Sequence, residues 1–164
     1  MVSFMKIVFN SSPLIFLSQL HFLEQFLTTN DDFYLPQTVQ IEINAKHDQS
    51  SDDINRLINH QQLIVKEIKL LSLADRLNDR LGRGESDAIA LGIELQTDYI
   101  ILDDFAARKE GMRLGLNVKG TLAVIRKLQM EGKINISNLD VLYQRIREIN
   151  FRVKREIFDS IFND

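Results

Sequence analysis

The sequence predicts an α/β fold, a three-layer α/β/α sandwich built on a mostly parallel central sheet. Short runs rich in β-branched and aromatic residues alternate with longer amphipathic segments along the 164 residues. That alternation is typical of parallel sheets covered by helices on both faces. A composition of 45% hydrophobic and 26% charged residues agrees with a soluble globular protein. We expect a single domain over residues 1–164, in which helices within 137–164 form an extension packed on the rest.

The first strand and helix are predicted within residues 7–27. Residues 7–9, Ile-Val-Phe, have the profile of a buried strand. Ser12 suits a helix N-cap, and Pro13 suits the first helical position, where its missing N–H costs nothing. Leucine and phenylalanine recur at helical spacing through residue 27. These side chains are either buried within the monomer or left as an apolar patch for a partner, such as a second copy in a homodimer.

The middle of the chain continues the alternation. A short strand over 33–35 precedes a helix opened by Pro36, and a polar loop over 47–53 leads into the next helix. A strand at 63–65 and a helix through residue 81 then reach a glycine-flanked turn at 82–84.

The strongest chemical signal lies in residues 82–104, GRGESDAIALGIELQTDYIILDD. The glycine-flanked turn opens a helix that carries Glu85 and Asp87 in its first turn. The apolar strand 99–102 ends abruptly in Asp103 and Asp104. Sites in open parallel sheets are built at the carboxyl edge, where Asn10 also follows the first strand, so we expect an active centre there.

The rest of the chain is mostly helical. A helix over 105–114 ends at Gly115, a short strand follows at 117–119, and Gly120 opens a helix that Gly132 closes. Two further helical stretches are predicted at about 137–149 and 153–162.

Charge is unevenly distributed, although the formal net charge is only −3. Residues 1–118 carry 11 Lys and Arg against 17 acids, whereas residues 119–155 carry nine against three. An acidic body suits cations and a basic segment suits a phosphate backbone. Solvated helix faces would explain the same pattern. The chain has no cysteine, which excludes disulfides and thiolate metal sites. No run reaches transmembrane length, and we expect a cytoplasmic protein without membrane association.

A pocket of several carboxylates requires a cation or a proton, because crowded acids repel and raise one another's pKa. Oxygen ligands of this kind suit Mg²⁺ or Mn²⁺, which would activate water for phosphodiester cleavage. The candidates are Glu42, Glu85, Asp87, Asp103 and Asp104.

Each acid also has a structural explanation. The helix dipole alone favours acids such as Glu85 and Asp87 in a first helical turn. Glu42 has the sequence context of an exposed helix residue as much as that of a ligand. Either Asp103 or Asp104 would N-cap the following helix and leave the other as the ligand.

In chain order, the segments IVFNSSPLIFL, PQTVQIEI, GRGESDAIALGIEL, DYIILDDFAARKEGMRLGL and VKGTLAVI resemble a PIN-like domain. The resemblance extends from Lys6 to about Phe151. Within the PIN-like proteins, the chain resembles most specifically a prokaryotic branch that has SPLI after the first strand and the motif GE-x-x-AIAL. This resemblance implies an α/β/α sandwich, Mg²⁺- or Mn²⁺-dependent ribonuclease activity on RNA, a toxin role with a cognate antitoxin protein, and a homodimer.

The resemblance also implies which residues form the site. The family's four acidic positions fall on Asn10, Glu42, Asp87 and either Asp103 or Asp104, and Glu85 lies beside the third. Asn10 is the departure, because the family usually has a carboxylate there and an amide attracts a cation more weakly. The residues implied in substrate binding are Ser12, Arg108, Lys109 and Lys119.

Three functions are consistent with these observations. The first is a metal-dependent ribonuclease acting as a toxin. The second is a catalytically impaired PIN-like module that binds RNA or a protein partner. The third is another phosphate-acting enzyme on the same fold.

Overall fold

The computed structural model describes residues 4–163, which form one five-stranded sheet and ten helices. The strands are β1 (Lys6–Phe9), β2 (Asp32–Pro36), β3 (Ile64–Lys66), β4 (Tyr99–Ile101) and β5 (Val118–Lys119). The helices are α1 (Ser11–Gln19), α2 (Leu23–Phe26), α3 (Gln37–Asn44), α4 (Gln49–Asn59), α5 (Leu71–Asn78), α6 (Arg83–Leu95), α7 (Phe105–Arg113), α8 (Thr121–Met130), α9 (Leu139–Glu148) and α10 (Arg155–Phe162). Residues 1–3 and 164 of the predicted domain lie outside this range.

The sheet has the order β3-β2-β1-β4-β5, and all four strand pairs are parallel. Alternate side chains of a strand point to opposite faces. Ile7 and Phe9 accordingly join one hydrophobic cluster, whereas Val8 joins the other. Helices α1–α4 and α8–α10 contribute to the first cluster and α5–α7 to the second. The predicted three-layer α/β/α fold is confirmed.

The first helix differs from the prediction at both ends. Asn10, not Ser12, is the N-cap residue, because its backbone is extended (φ −86°, ψ 169°) and helical geometry begins at Ser11. Helix α1 stops at Gln19, and a turn through His21 at φ 64° separates it from α2. The predicted continuous helix through residue 27 was therefore wrong.

The apolar residues within 14–27 are mostly buried in the monomer. Leu14 and Leu17 are fully buried, and Leu20, Leu23, Phe26 and Leu27 are at most 4% exposed. The side chain of Phe16 stacks on Phe151 with 4.4 Å between the ring centroids. Of the two alternatives for this segment, burial is confirmed, and these side chains form no apolar patch.

Two other predicted boundaries were wrong. Residues 49–53 belong to α4, because the side chain of Asp48 accepts the Ser51 N–H (3.0 Å) and caps that helix. Arg83 and Gly84 lie inside α6, whose N-cap residue is Gly82. Of the two glycines that indicated a turn, Gly82 is the N-cap residue of α6 and Gly84 makes a close contact with Glu42.

The strand order places a switch point beside β1. The chain moves outward from β1 through β2 to β3 and then crosses to β4 on the other side of β1. The carboxyl ends of β1 and β4 therefore flank a crevice. The Asn10 N–H donates to the Ile101 carbonyl (3.2 Å), which brings Asn10 level with the end of β4. No helix within residues 4–163 is long and apolar enough to cross a membrane.

Candidate functional site

The site is built first from the contact between α3 and α6. Gly84 in the first turn of α6 lies so near Glu42 that a Cβ on it would be 1.8 Å from Glu42 Oε1. This approach brings Glu42 beside Glu85 and Asp87. Burial raises the pKa of Glu42, the two neighbouring carboxylates raise it further, and Lys46 acts in the opposite direction.

Asp87 is the most buried acid of the site, at 2% exposure. Its Oδ2 accepts a hydrogen bond from the Thr38 hydroxyl (2.6 Å). Its Oδ1 is buried without a hydrogen bond and lies 3.4 Å from Nε of Arg83. Buried oxygens are rarely left without a hydrogen bond, so Oδ1 is an available acceptor for a ligand.

Asn10 presents a second buried oxygen of this kind. The residue is 5% exposed, and its Oδ1 has no hydrogen-bond partner among residues 4–163. As the N-cap residue of α1 it would be expected to accept a backbone N–H, yet its side chain makes no capping bond. Its amide oxygen therefore lies at the switch point without a protein donor.

Glu85 and Asp104 continue the acidic edge, and each also caps a helix. Glu85 Oε1 accepts the Gly82 N–H (3.0 Å), and Asp104 Oδ2 accepts the Ala107 N–H (3.0 Å). Burial raises the pKa of Glu85, the Gly82 N–H lowers it, and the charge of Asp104 raises it. Of the two aspartates that follow β4, Asp104 is thus the one that caps α7.

Asp103 has a different environment. Its Oδ1 accepts the Thr121 N–H (2.8 Å) and its Oδ2 accepts the Thr121 hydroxyl (2.6 Å). Burial raises the pKa of Asp103, whereas these two bonds and the charge of Arg108 lower it. Both oxygens of Asp103 are already hydrogen-bonded, so this residue ties the end of β4 to the start of α8.

The four residues expected to bind substrate occupy different places. Ser12 lines a groove together with Glu42 and Lys46. Arg108 Nη1 donates to the Leu102 carbonyl (2.9 Å), and Lys109 is exposed on α7. The ammonium of Lys119 lies 4.5 Å from the ring centroid of Tyr99, toward the amino end of β4. Ser12 and Arg108 thus lie beside acids of the site, whereas Lys119 leans toward the other edge of the sheet.

The acids form a line rather than a closed cage. Charge interactions connect Glu42 to Glu85 and Asp87, and Glu85 to Asp104. Within residues 4–163, no three Asp, Glu or His side chains converge closely enough to hold an ion by themselves.

The family to which this sequence belongs follows from its match to a family model. The model described as a PIN domain matches residues 6–164. The chain belongs to the PIN domain family. A solved structure, a PilT N-terminus domain protein from the hyperthermophilic archaeon Sulfolobus solfataricus, is 16% identical with a TM-score of 0.48, over 82% of this chain and 98% of that one. No curated protein matches the sequence.

PIN domains have a nuclease-like fold and generally depend on a divalent metal. The oxygen ligands at this edge are of the kind that such an ion prefers. Two of the three buried oxygens without hydrogen bonds among residues 4–163 lie here, the Asn10 amide oxygen and Asp87 Oδ1, and the third is the Tyr99 hydroxyl at the start of β4. The remaining ligands of Mg²⁺ are commonly waters and substrate phosphates, so an incomplete protein cage is compatible with binding. Glu42 and Asp104 are the neighbouring carboxylates.

Three residues of this PIN domain were missed by sequence reasoning: Thr38, Arg83 and Thr121. Thr38 lies four residues before Glu42, and Arg83 lies four residues before Asp87. That spacing places both members of each pair on one helix face and was a usable signal. For Thr121 the signal was its place in the first turn of a helix that starts at the same sheet edge.

Proposed function

We propose that this PIN domain is a Mg²⁺- or Mn²⁺-dependent endoribonuclease. The observation that carries the proposal is the pair of buried oxygens without hydrogen bonds, Asn10 Oδ1 and Asp87 Oδ1, in the acidic region at the sheet's switch point. The raised pKa of neighbouring Glu42 supports it, since crowded acids are stabilised by a cation.

The residues have distinct proposed roles. Asn10 and Asp87 would hold the ion through their unbonded oxygens. Glu42, Glu85 and Asp104 would act on it through bound waters, since no three acids among residues 4–163 converge on one point. Asp103 would position the carboxyl end of β4 through Thr121. A bound divalent ion supplies water activation and stabilisation of the leaving oxygen in phosphodiester cleavage. Ser12, Arg108 and the exposed Lys109 are proposed to contact the substrate, whereas Lys119, whose ammonium lies over the Tyr99 ring, is not.

We further propose a cytoplasmic homodimer that acts as the toxin of a toxin–antitoxin pair. This part rests on membership of the PIN family, many of whose members act as toxins and form dimers. A small open reading frame next to the gene, whose product binds this protein and blocks RNA cleavage, is the expected partner. Co-expression with and without that product tests the pairing by cell growth.

The decisive experiment is a Mn²⁺ titration by calorimetry on the wild type and on Asp87→Asn. We expect saturable binding that the substitution abolishes, and loss of RNA cleavage in the same variant. Asp52→Asn, an exposed acid in the first turn of α4, is the matched control and should bind like the wild type. Equal Mn²⁺ binding by all three proteins would contradict the proposed site.

A binding module without catalysis is the second candidate. Asn10 favours it, because the family's usual carboxylate is missing where the chain departs from β1. Asn10→Asp separates the two candidates: a marked gain in metal-dependent cleavage would indicate a nuclease held below capacity. No gain, with Glu42 and Asp87 also dispensable for function, would favour the binding module.

A further inference from the structure

The segment that joins α9 to α10, residues 150–154, presents two cations outward. We call it the basic connector. Phe151 is 7% exposed and stacks on Phe16, and the Val153 carbonyl accepts the Tyr143 hydroxyl (2.6 Å). Arg152 and Lys154, which alternate with these anchored residues, are exposed.

Neither cation is neutralised by the surrounding chain. Among residues 4–163, Arg152 and Lys154 make no ion pair with a carboxylate. Neighbouring Arg155, by contrast, is paired with Asp140 and Asp159. The connector therefore holds two uncompensated positive charges on an anchored backbone, which is what a phosphate chain requires.

Two grooves meet at the basic connector. One is lined by Tyr143 and Arg147 of α9 together with the connector. The other extends from the connector across apolar side chains to Phe105, Arg108 and Asp103. Asp103 is the single acid lining either groove in the described part of the chain, and it lies at the end that adjoins the candidate metal site.

The second groove also offers an aromatic surface. Phe105 is 81% exposed at the start of α7, directly after Asp104. The groove continues along Leu122, Ala123 and Ile157. Exposed aromatic rings and apolar floors beside cations are the features that bind unpaired bases and their phosphates.

We propose that the basic connector and the Phe105 groove bind single-stranded RNA and lead it to the acidic edge. Arg147, Arg152 and Lys154 contact phosphates, and Phe105 stacks on a base next to the scissile position. The inference rests on the proposed nuclease function for its direction, although binding itself requires no metal. A protein partner is the alternative occupant that the test addresses.

The test is fluorescence anisotropy of a short labelled oligouridylate in EDTA, measured over a range of salt concentrations. We expect Arg152→Ala with Lys154→Ala to weaken binding and to reduce the log–log salt slope by about 1.4, since each phosphate contact on a single strand contributes about 0.7. Phe105→Ala should weaken binding roughly five- to 150-fold with an unchanged slope, because stacking is not a counterion effect.

A matched control removes two exposed lysines that line neither groove, Lys6→Ala with Lys69→Ala. This variant should retain the affinity and salt slope of the wild type. Wild-type binding that the connector and Phe105 variants leave unchanged would overturn the proposal. Absence of oligouridylate binding at low salt would also overturn it and would direct the search to a protein partner.

The failure of this proposal can be distinguished from failure of the nuclease function. Asp87→Asn should bind oligouridylate in EDTA like the wild type and lose only cleavage. If RNA binds at the connector but no cleavage is observed, the RNA-binding surface is supported and the nuclease function is rejected. Metal-dependent cleavage that the connector variants do not affect would reject the surface and retain the enzyme.

Discussion

Glu42 occupies the space that any side chain on residue 84 would need: a Cβ on Gly84 would lie 1.8 Å from its Oε1 and 2.9 Å from its carboxyl carbon. Helix α3 can therefore bring its acid to the first turn of α6 only because residue 84 is glycine. The concentration of Glu42, Glu85 and Asp87 at one edge depends on this contact.

Gly84→Ala should lower Mn²⁺ affinity without a large loss of stability. Only the end of the flexible Glu42 side chain is in the way, so the carboxylate moves and the helices stay packed. The helical preference for alanine, about 0.5–1 kcal/mol, offsets the cost of that movement. Calorimetry and urea denaturation measure the two effects separately.

The same Gly84→Ala substitution can be made in a Glu42→Ala background, which completes a double-mutant cycle. With the carboxylate removed, Gly84→Ala should stabilise the protein by about 0.5–1 kcal/mol, because the new Cβ meets no obstacle. An equal effect of Gly84→Ala in both backgrounds would show that Glu42 and residue 84 are not coupled.

Arg83→Gln should increase Mn²⁺ affinity. The Arg83 guanidinium lies 3.4 Å from the unbonded Oδ1 of Asp87 and also pairs with Asp75 (2.8 Å), so it supplies a positive charge where a metal would. Without that charge, Asp87 should bind the metal more strongly. The metal-free protein should be less stable, because the Asp87 carboxylate loses its ion pair. Arg113→Gln, at the ion pair of exposed Arg113 with Glu110 on α7, is the control and should leave affinity unchanged.

Thr121→Val should destabilise the protein by about 1–3 kcal/mol, because it leaves Asp103 Oδ2 buried without its hydroxyl partner. The backbone N–H to Oδ1 remains. The loss of stability should be smaller at acidic pH, because a hydrogen bond to the neutral carboxyl group of Asp103 is weaker than one to its carboxylate. Thr121→Ser keeps the hydroxyl and should retain most of the stability, and a Ser variant as unstable as Val would point to lost methyl packing instead.

The acidic edge should make the apoprotein less stable as pH rises. Burial raises the pKa of Glu42 and of Glu85 above the usual value of 4.5. As pH rises, these two carboxyl groups therefore ionise in the unfolded chain before they ionise in the folded protein. The free energy of unfolding falls from the unfolded pKa upward and becomes constant above the folded pKa.

Glu42→Gln isolates this effect. The variant should match the wild type near pH 4 and have a melting temperature about 1–2 °C higher at pH 7, a small change because Glu42 is exposed. Saturating Mn²⁺ should reverse the order by stabilising only the wild type. A variant less stable than the wild type at pH 7 without metal would contradict the charge-crowding explanation.

Much of the fold was predictable from local pattern. The runs 7–9 and 99–102 read as buried strands, and their ends located Asn10, Asp103 and Asp104 at one edge. Gly115 and Gly132 end their helices at positive φ, 89° and 72°, as expected from glycine at a C-cap.

The sequence did not predict which acid caps a helix and which is held by other hydrogen bonds. Asp104 caps α7 while Asp103 is bound at both oxygens by Thr121, and this depends on where α8 starts in space. The contact between Glu42 and Gly84 likewise depends on two helices that are far apart in sequence. Spacing within a helix indicates shared faces, but it does not reveal which face meets another helix.

The parallel pairing of β1 with β4 joins two segments at the acidic edge that are far apart in sequence. The Lys6 N–H is bound by Asp98, 92 residues later, and the Arg145 side chain donates to the Leu20 carbonyl across 125 residues. Such distant contacts form slowly, because a long loop must close before they add any stability. We expect the acids of a growing chain to stay apart until β1 and β4 have paired, so that the acidic edge is one of the later features of the fold to form.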